Sequence, residues 1–130
     1  MSVEHVVVLV EEPSMEAALS ILLPKILGEL SFQIHPYQCK DELLNLLPER
    51  LRGYAKWIPE AWRIVVVVDR DDDDCKRLKA RLERIAAAAF LTTRSAASGR
   101  PYSLVNRIAI EELEAWYFGD GEAVLGAYPR

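Results

Sequence analysis

Residues 6–10 form an unbroken apolar run, mostly valine, before Glu11 and Glu12. Such a run fits a strand buried on both faces, as in the middle of a parallel sheet. Pro13 and Ser14 follow, with Ser14 as the expected N-cap and Pro13 as the breaker before it. From Met15 onward, Leu19, Leu22, Leu23 and Ile26 recur at helical spacing. Pro24 is expected to kink or divide that helix, and Gly28 to stop it. Leu30, Phe32, Ile34 and Pro36 alternate with polar residues, which predicts a half-buried strand. A second helix, capped by Asp41, carries Leu43, Leu44, Leu47 and Leu51 and is weakened at Pro48. Residues 53–60, with Tyr54 and Trp57, read as a loop.

Residues 64–68 give the clearest strand. Five of the six residues 69–74 are aspartates, and a third helix then places Cys75, Leu78, Leu82, Ile85, Ala86 and Ala89 on one face. Lys76, Arg77, Lys79, Arg81 and Arg84 fall on its other faces and read as solvated. Residues 92–101 read as a loop, residues 103–110 as holding a strand, and residues 111–118 as a helix stopped at Gly119 and Gly121. Strands alternating with helices imply βαβ units and an α/β fold with a mostly parallel sheet.

At 130 residues the chain is expected to form a single domain over residues 1–130. It ends at Arg130 without an obvious closing element, which leaves room for a further C-terminal segment. With 51% hydrophobic and 28% charged residues, the composition is that of an ordinary globular protein rather than a disordered or membrane-embedded one. The longest apolar runs fall well short of the ~20 residues a membrane helix needs. The acidic start lacks the basic region of a signal peptide, so the expected location is the cytoplasm, with no membrane partner. Cys39 and Cys75 fit neither a disulfide framework nor a metal-ligand spacing. A net charge of −4 argues against a surface that grips nucleic acid everywhere, while leaving a local basic patch open.

The chemistry gathers at strand ends. In parallel α/β sheets ligands bind outside the carboxyl ends of the strands. Two such ends are acidic here, Val10 leading into Glu11 and Val68 into Asp69. Asp69 and Asp71 alternate across Arg70, so both can face one way from an extended chain. Hard carboxylate oxygens suit Mg²⁺, which prefers a few of them together with water and phosphate. Asp72, Asp73 and Asp74 are explained more simply by the dipole at a helix start. An EF-hand is excluded because its sixth and twelfth positions, counted from Asp69, are Asp74 and Ala80. No glycine-rich phosphate loop is present, and His5 and His35 read as structural.

The strand ending in Glu11 and the later strand ending in Asp69-Arg70-Asp71 resemble the Toprim signature. That signature pairs a strand ending in Glu-Gly with a later one ending in Asp-x-Asp. It is found in topoisomerases, primases, recombination proteins and OLD-type nucleases. Residues 10–16, 35–40, 69–75 and 110–116 are similar, in order, to the motifs of a bacterial family grouped with Toprim proteins, domain of unknown function 4276. This resemblance implies a Toprim or Rossmann-like fold. It implies Glu11 as general acid/base beside the metal, with Asp69 and Asp71 holding Mg²⁺ or Mn²⁺. The chain departs from the pattern at Glu12, where glycine is usual, and at Cys39, where the family has a small residue.

Glu111 and Glu114, three apart on the expected last helix, either complete the acidic site, as in OLD-like nucleases, or belong to a solvated helix start. Arg70, Lys40, Arg94, Arg100 and Arg107 are the candidate contacts to a nucleic-acid backbone. The expected activity is Mg²⁺-dependent, nuclease-like chemistry on DNA or RNA. OLD-type relatives suggest phage defence with an ATPase partner, which would be a separate protein because this chain has no ATPase motif. An oligomer stays open. A haloacid-dehalogenase-like phosphatase also uses Asp-x-Asp, but there the motif usually opens the domain, and Glu11 would have no role. A non-catalytic binding or regulatory subunit is the remaining alternative.

Overall fold

A computed structural model describes residues 3–69 and 74–109. The described elements run β1 (His5–Val10), α1 (Pro13–Leu27), β2 (Ser31–Pro36), α2 (Lys40–Ala55), β3 (Trp62–Asp69), α3 (Cys75–Ala88), α4 (Arg94–Ala97) and β4 (Leu104–Ala109). Their four strands form one sheet in the order β2-β1-β3-β4, and each neighbouring pair is parallel. The chain therefore has the α/β architecture that its alternating pattern predicts.

The valine runs become the two central strands because a parallel sheet covered on both sides needs apolar residues at every position. Val7, Leu9, Ile64, Val66 and Val68 face a core shared with Leu43, Leu47 and Leu51 of α2 and Leu78, Leu82 and Ala86 of α3. Val6, Val8, Val10, Val65 and Val67 face the other core, with Met15, Leu19, Leu23 and Leu27 of α1. β2 is an edge strand among the described residues, and its alternating half-buried pattern matches its one-sided cover.

The helix ends differ in detail from expectation. α1 begins at Pro13 with Glu12 as its extended N-cap residue, so Ser14 lies inside the first turn rather than capping it. Proline fits there because the first helical N–H has no intrahelical acceptor to lose. The helix continues through Pro24 as one element and stops at Gly28, whose φ of 64° is left-handed. Ser20 and Pro24 are both exposed, so water can serve the Ser20 carbonyl that lost its donor. α2 starts after Cys39, with Asp41 in its first turn rather than at the cap, and runs through Pro48 to Ala55. Gly53 and Tyr54 thus belong to the helix and not to a loop.

Asp74 caps α3, its side chain accepting from the backbone N–H groups of Lys76 at 2.8 Å and Arg77 at 3.2 Å. The stretch expected as a loop holds the short helix α4, capped by Thr93 Oγ1 accepting from Ala96 N at 3.1 Å. No helix among the described residues is long and apolar enough to cross a membrane.

Candidate active site

The strand order fixes where the site lies. The chain leaves β1 for β2 on one side, then returns across to β3 on the other. The connections diverge between β1 and β3, and at such a switch point a crevice opens at the carboxyl ends of the strands. Val10 pairs with Val67, so Glu11 follows β1 and Asp69 ends β3 at the same edge, on neighbouring strands.

The Glu11 side chain and the Asp69 backbone meet there. Glu11 is only 4% exposed, and its Oε1 accepts the backbone N–H of Asp69 at 2.6 Å. A carboxyl oxygen that loses water needs such a donor. Asp69 is half-buried, and strand alternation places it on the Val65 and Val67 face of the sheet. Glu12 has φ −154° and ψ 157°, an extended backbone open to any residue. Glutamate therefore stands at this position without backbone strain.

Arg70, Asp71, Glu111 and Glu114 lie outside the described residues. Among the described residues no group of three or more His, Cys, Asp or Glu side chains is arranged to hold a metal. Glu11 and Asp69 still offer the oxygen donors that fit Mg²⁺, which is commonly held by one or two carboxylates, with water and substrate phosphate completing its shell.

The fold sorts the candidate basic residues into two groups. Lys40 opens α2 after the short connection from β2, at the same carboxyl edge as Glu11. Arg107 pairs with Val67, near that edge, and is half-buried. It lines a cavity of about 500 Å³ with Lys76, Lys79 and Asn106. Arg94 and Arg100 precede β4, and Thr93 bridges to Leu104, so both arginines belong to the amino end of the sheet, away from Glu11.

Lys79 corrects the expectation of a wholly solvated helix face. It is half-buried, donates to the Asn106 carbonyl at 2.9 Å and lies 3.8 Å from Glu83. Burial pushes its pKa down; Glu83 opposes this, and Arg107 and Arg94 add to it. Glu83 also accepts from Thr93 Oγ1 at 2.5 Å and Asn106 Nδ2 at 2.8 Å, tying α3 to β4. Lys76, Arg77, Arg81 and Arg84 are exposed as expected.

His5 and His35 are both half-buried on β1 and β2. His5 Nδ1 lies 2.7 Å from Ser31 Oγ, and its ring sits 4.3 Å from that of Trp62. Burial lowers the pKa of both rings below 6.5; for His35 the nearby Arg50 lowers it further and Glu16 opposes. The unfolded chain then binds more protons than the folded one between the depressed folded values and 6.5, so stability rises with pH in that window. Lowering the pH from above 6.5 through the window is expected to lower the unfolding midpoint, and His35→Gln to flatten that dependence. Thermal melts followed by circular dichroism check it, and an unchanged slope in the variant would contradict the assignment to His35.

Fold and edge together define a parallel α/β domain with a carboxylate at its switch point. Residues 10–130 match the family described as Domain of unknown function (DUF4276). That match spans most of the chain, and the chain belongs to this family. No curated protein and no solved structure matches it.

Proposed function

We propose that this chain is a metal-dependent enzyme of nucleic-acid phosphodiester chemistry, nuclease-like in the manner of the Toprim and OLD-type proteins it resembles. The observation that carries the reading is Glu11, buried at the switch point with its carboxylate joined to the backbone at the end of β3. Glu11, Asp69 and Asp71 would hold Mg²⁺ or Mn²⁺, which when bound supplies charge stabilisation to a phosphoryl oxygen. Glu11 would exchange the proton of the attacking or leaving oxygen. Lys40 and Arg107, at and near the same edge, would meet backbone phosphates, together with Arg70, which stands between Asp69 and Asp71 in the sequence. A role in phage defence beside a separate ATPase belongs to this proposal through the OLD-type resemblance alone.

The test is cleavage of labelled DNA and RNA by the purified full chain with Mg²⁺ or Mn²⁺, and its loss on chelation. Cleavage of one polymer would also identify the substrate. No cleavage of either with either ion would leave a binding or regulatory role as the better account.

A further inference from the structure

A second built feature lies on the other side of the sheet from α1. β2 carries Gln33 and His35 level with Val7 and Leu9, and the C-terminal half of α2 overhangs them. Between these elements is a cleft of about 390 Å³, lined by Gln33, His35, Arg50, Tyr54, Trp57 and Trp62. Its volume lies within the usual ~300–1,000 Å³ of small-ligand sites.

The aromatic wall is held in place, yet it is open. Trp57 is 56% exposed. Its ring centroid lies 5.5 Å from Tyr54 and 5.5 Å from Trp62, the latter edge-on at 80°. The turn that closes α2 fixes its backbone, with Trp57 N and Ile58 N both donating to the Tyr54 carbonyl at 3.0 and 2.8 Å. A positioned indole facing solvent is a ready stacking surface. Gly53 also lines the cleft from within α2, and a Cβ built there meets nothing within 4 Å. Packing does not demand this glycine, and a helix interior disfavours it. Its missing side chain leaves the cleft wall open.

The polar groups narrow the ligand. The Gln33 amide can donate and accept along one edge of a planar heterocycle. Glu49, on the same rim, can accept from an exocyclic amine. Arg50, lining the cleft beside Tyr54 with its Cζ 5.9 Å from the Tyr37 ring centroid, offers a guanidinium suited to phosphate. A ring to stack, an edge to read and an anion to balance are together the chemistry of a nucleotide. We propose that this cleft binds a nucleobase with its phosphate, either as a free nucleotide or as one residue of a single strand. His35, level with Leu9, marks the end of the cleft nearer the carboxyl edge, while the Trp57 and Trp62 wall lies at the amino end of the sheet, where Trp62 pairs with His5. The cleft needs no metal, and its occupancy stands or falls separately from cleavage.

The test is fluorescence anisotropy of a dye-labelled single-stranded hexa-adenylate with the full chain in excess chelator, so that metal chemistry plays no part. Wild type is expected to bind saturably. Trp57→Ala is expected to weaken binding by ~5- to 150-fold, as loss of a stacked base does, and Trp57→Phe to retain most of it. Gly53→Leu, which fills the cleft without removing an aromatic ring, is expected to weaken binding without lowering the unfolding midpoint. Competition by adenosine monophosphate as effective as by the unlabelled oligomer would identify a free-nucleotide site; competition by the oligomer alone would identify a strand. No binding by wild type, or binding unchanged in both Trp57→Ala and Gly53→Leu, would overturn the proposal.

Discussion

Glu11→Gln is expected to lower metal-dependent cleavage by about 10²–10⁴-fold, the usual contribution of a positioned general acid or base, while the fold persists. The reason lies in the bond that Glu11 makes. Its Oε1 accepts the Asp69 N–H at 2.6 Å in a place where Glu11 is nearly removed from water. Glutamine keeps a carbonyl oxygen at the same reach, so the backbone donor keeps an acceptor while the charge and proton-transfer capacity are lost. Glu11→Ala removes both. Leaving a buried donor without its acceptor costs about 1–3 kcal/mol, so alanine should lower stability as well as activity. Measuring turnover beside the unfolding midpoint for the two variants therefore separates chemistry from scaffolding. A glutamine variant with wild-type turnover would place the acid/base function elsewhere. One as unstable as the alanine variant would make Glu11 chiefly structural.

The outline of this fold is legible because its physics is local. The runs at residues 6–10 and 64–68 are valine-rich since both faces of β1 and β3 are covered, and that need is written position by position. The half-buried β2 is equally plain in its alternation. The acids after Val10 and Val68 can be read from sequence as strand-end candidates, but their meeting cannot. That depends on β1 and β3 being neighbours, and strand order is a property of the whole sheet. Helix starts blur because Glu12 and Cys39 occupy the N-cap positions without a side-chain cap bond, so the better-capping Ser14 and Asp41 attract the expectation.

Lys79 and Glu83 are hidden for a different reason. On a helical wheel they sit among solvated charges, and only β4 packing against α3 turns them into a half-buried polar link. The stacking cleft left a faint signal, in polar Gln33 and His35 on a strand face and tryptophan at a helix end. Gly53 suggested a loop when it is an opening in a helix wall.

The largest loss of stability is expected from Leu47→Ala, and its neighbour supplies the control. Leu47 is 0% exposed and lies in the core between α2, the sheet and α3, whereas Leu46 is 46% exposed. Removing a buried leucine side chain costs about 2–5 kcal/mol, the transfer free energy of the lost atoms plus the cavity that incomplete relaxation leaves. A domain of this size falls between the ~4–8 °C per kcal/mol of 60–100-residue domains and the ~2–4 °C of 150–250-residue ones, so Leu47→Ala should lower the melting midpoint by roughly 7–20 °C. Leu46→Ala, with no core contact to lose, should stay within about 0.5 kcal/mol of wild type. Two adjacent leucines in one helix have the same propensity, so the difference between their unfolding midpoints isolates burial from helix formation. Equal losses would mean that α2 does not present the Leu43, Leu47, Leu51 and Tyr54 face to the sheet. The cleft that α2 roofs and the carboxyl edge where α2 begins would then both be misplaced, because both positions depend on that packing.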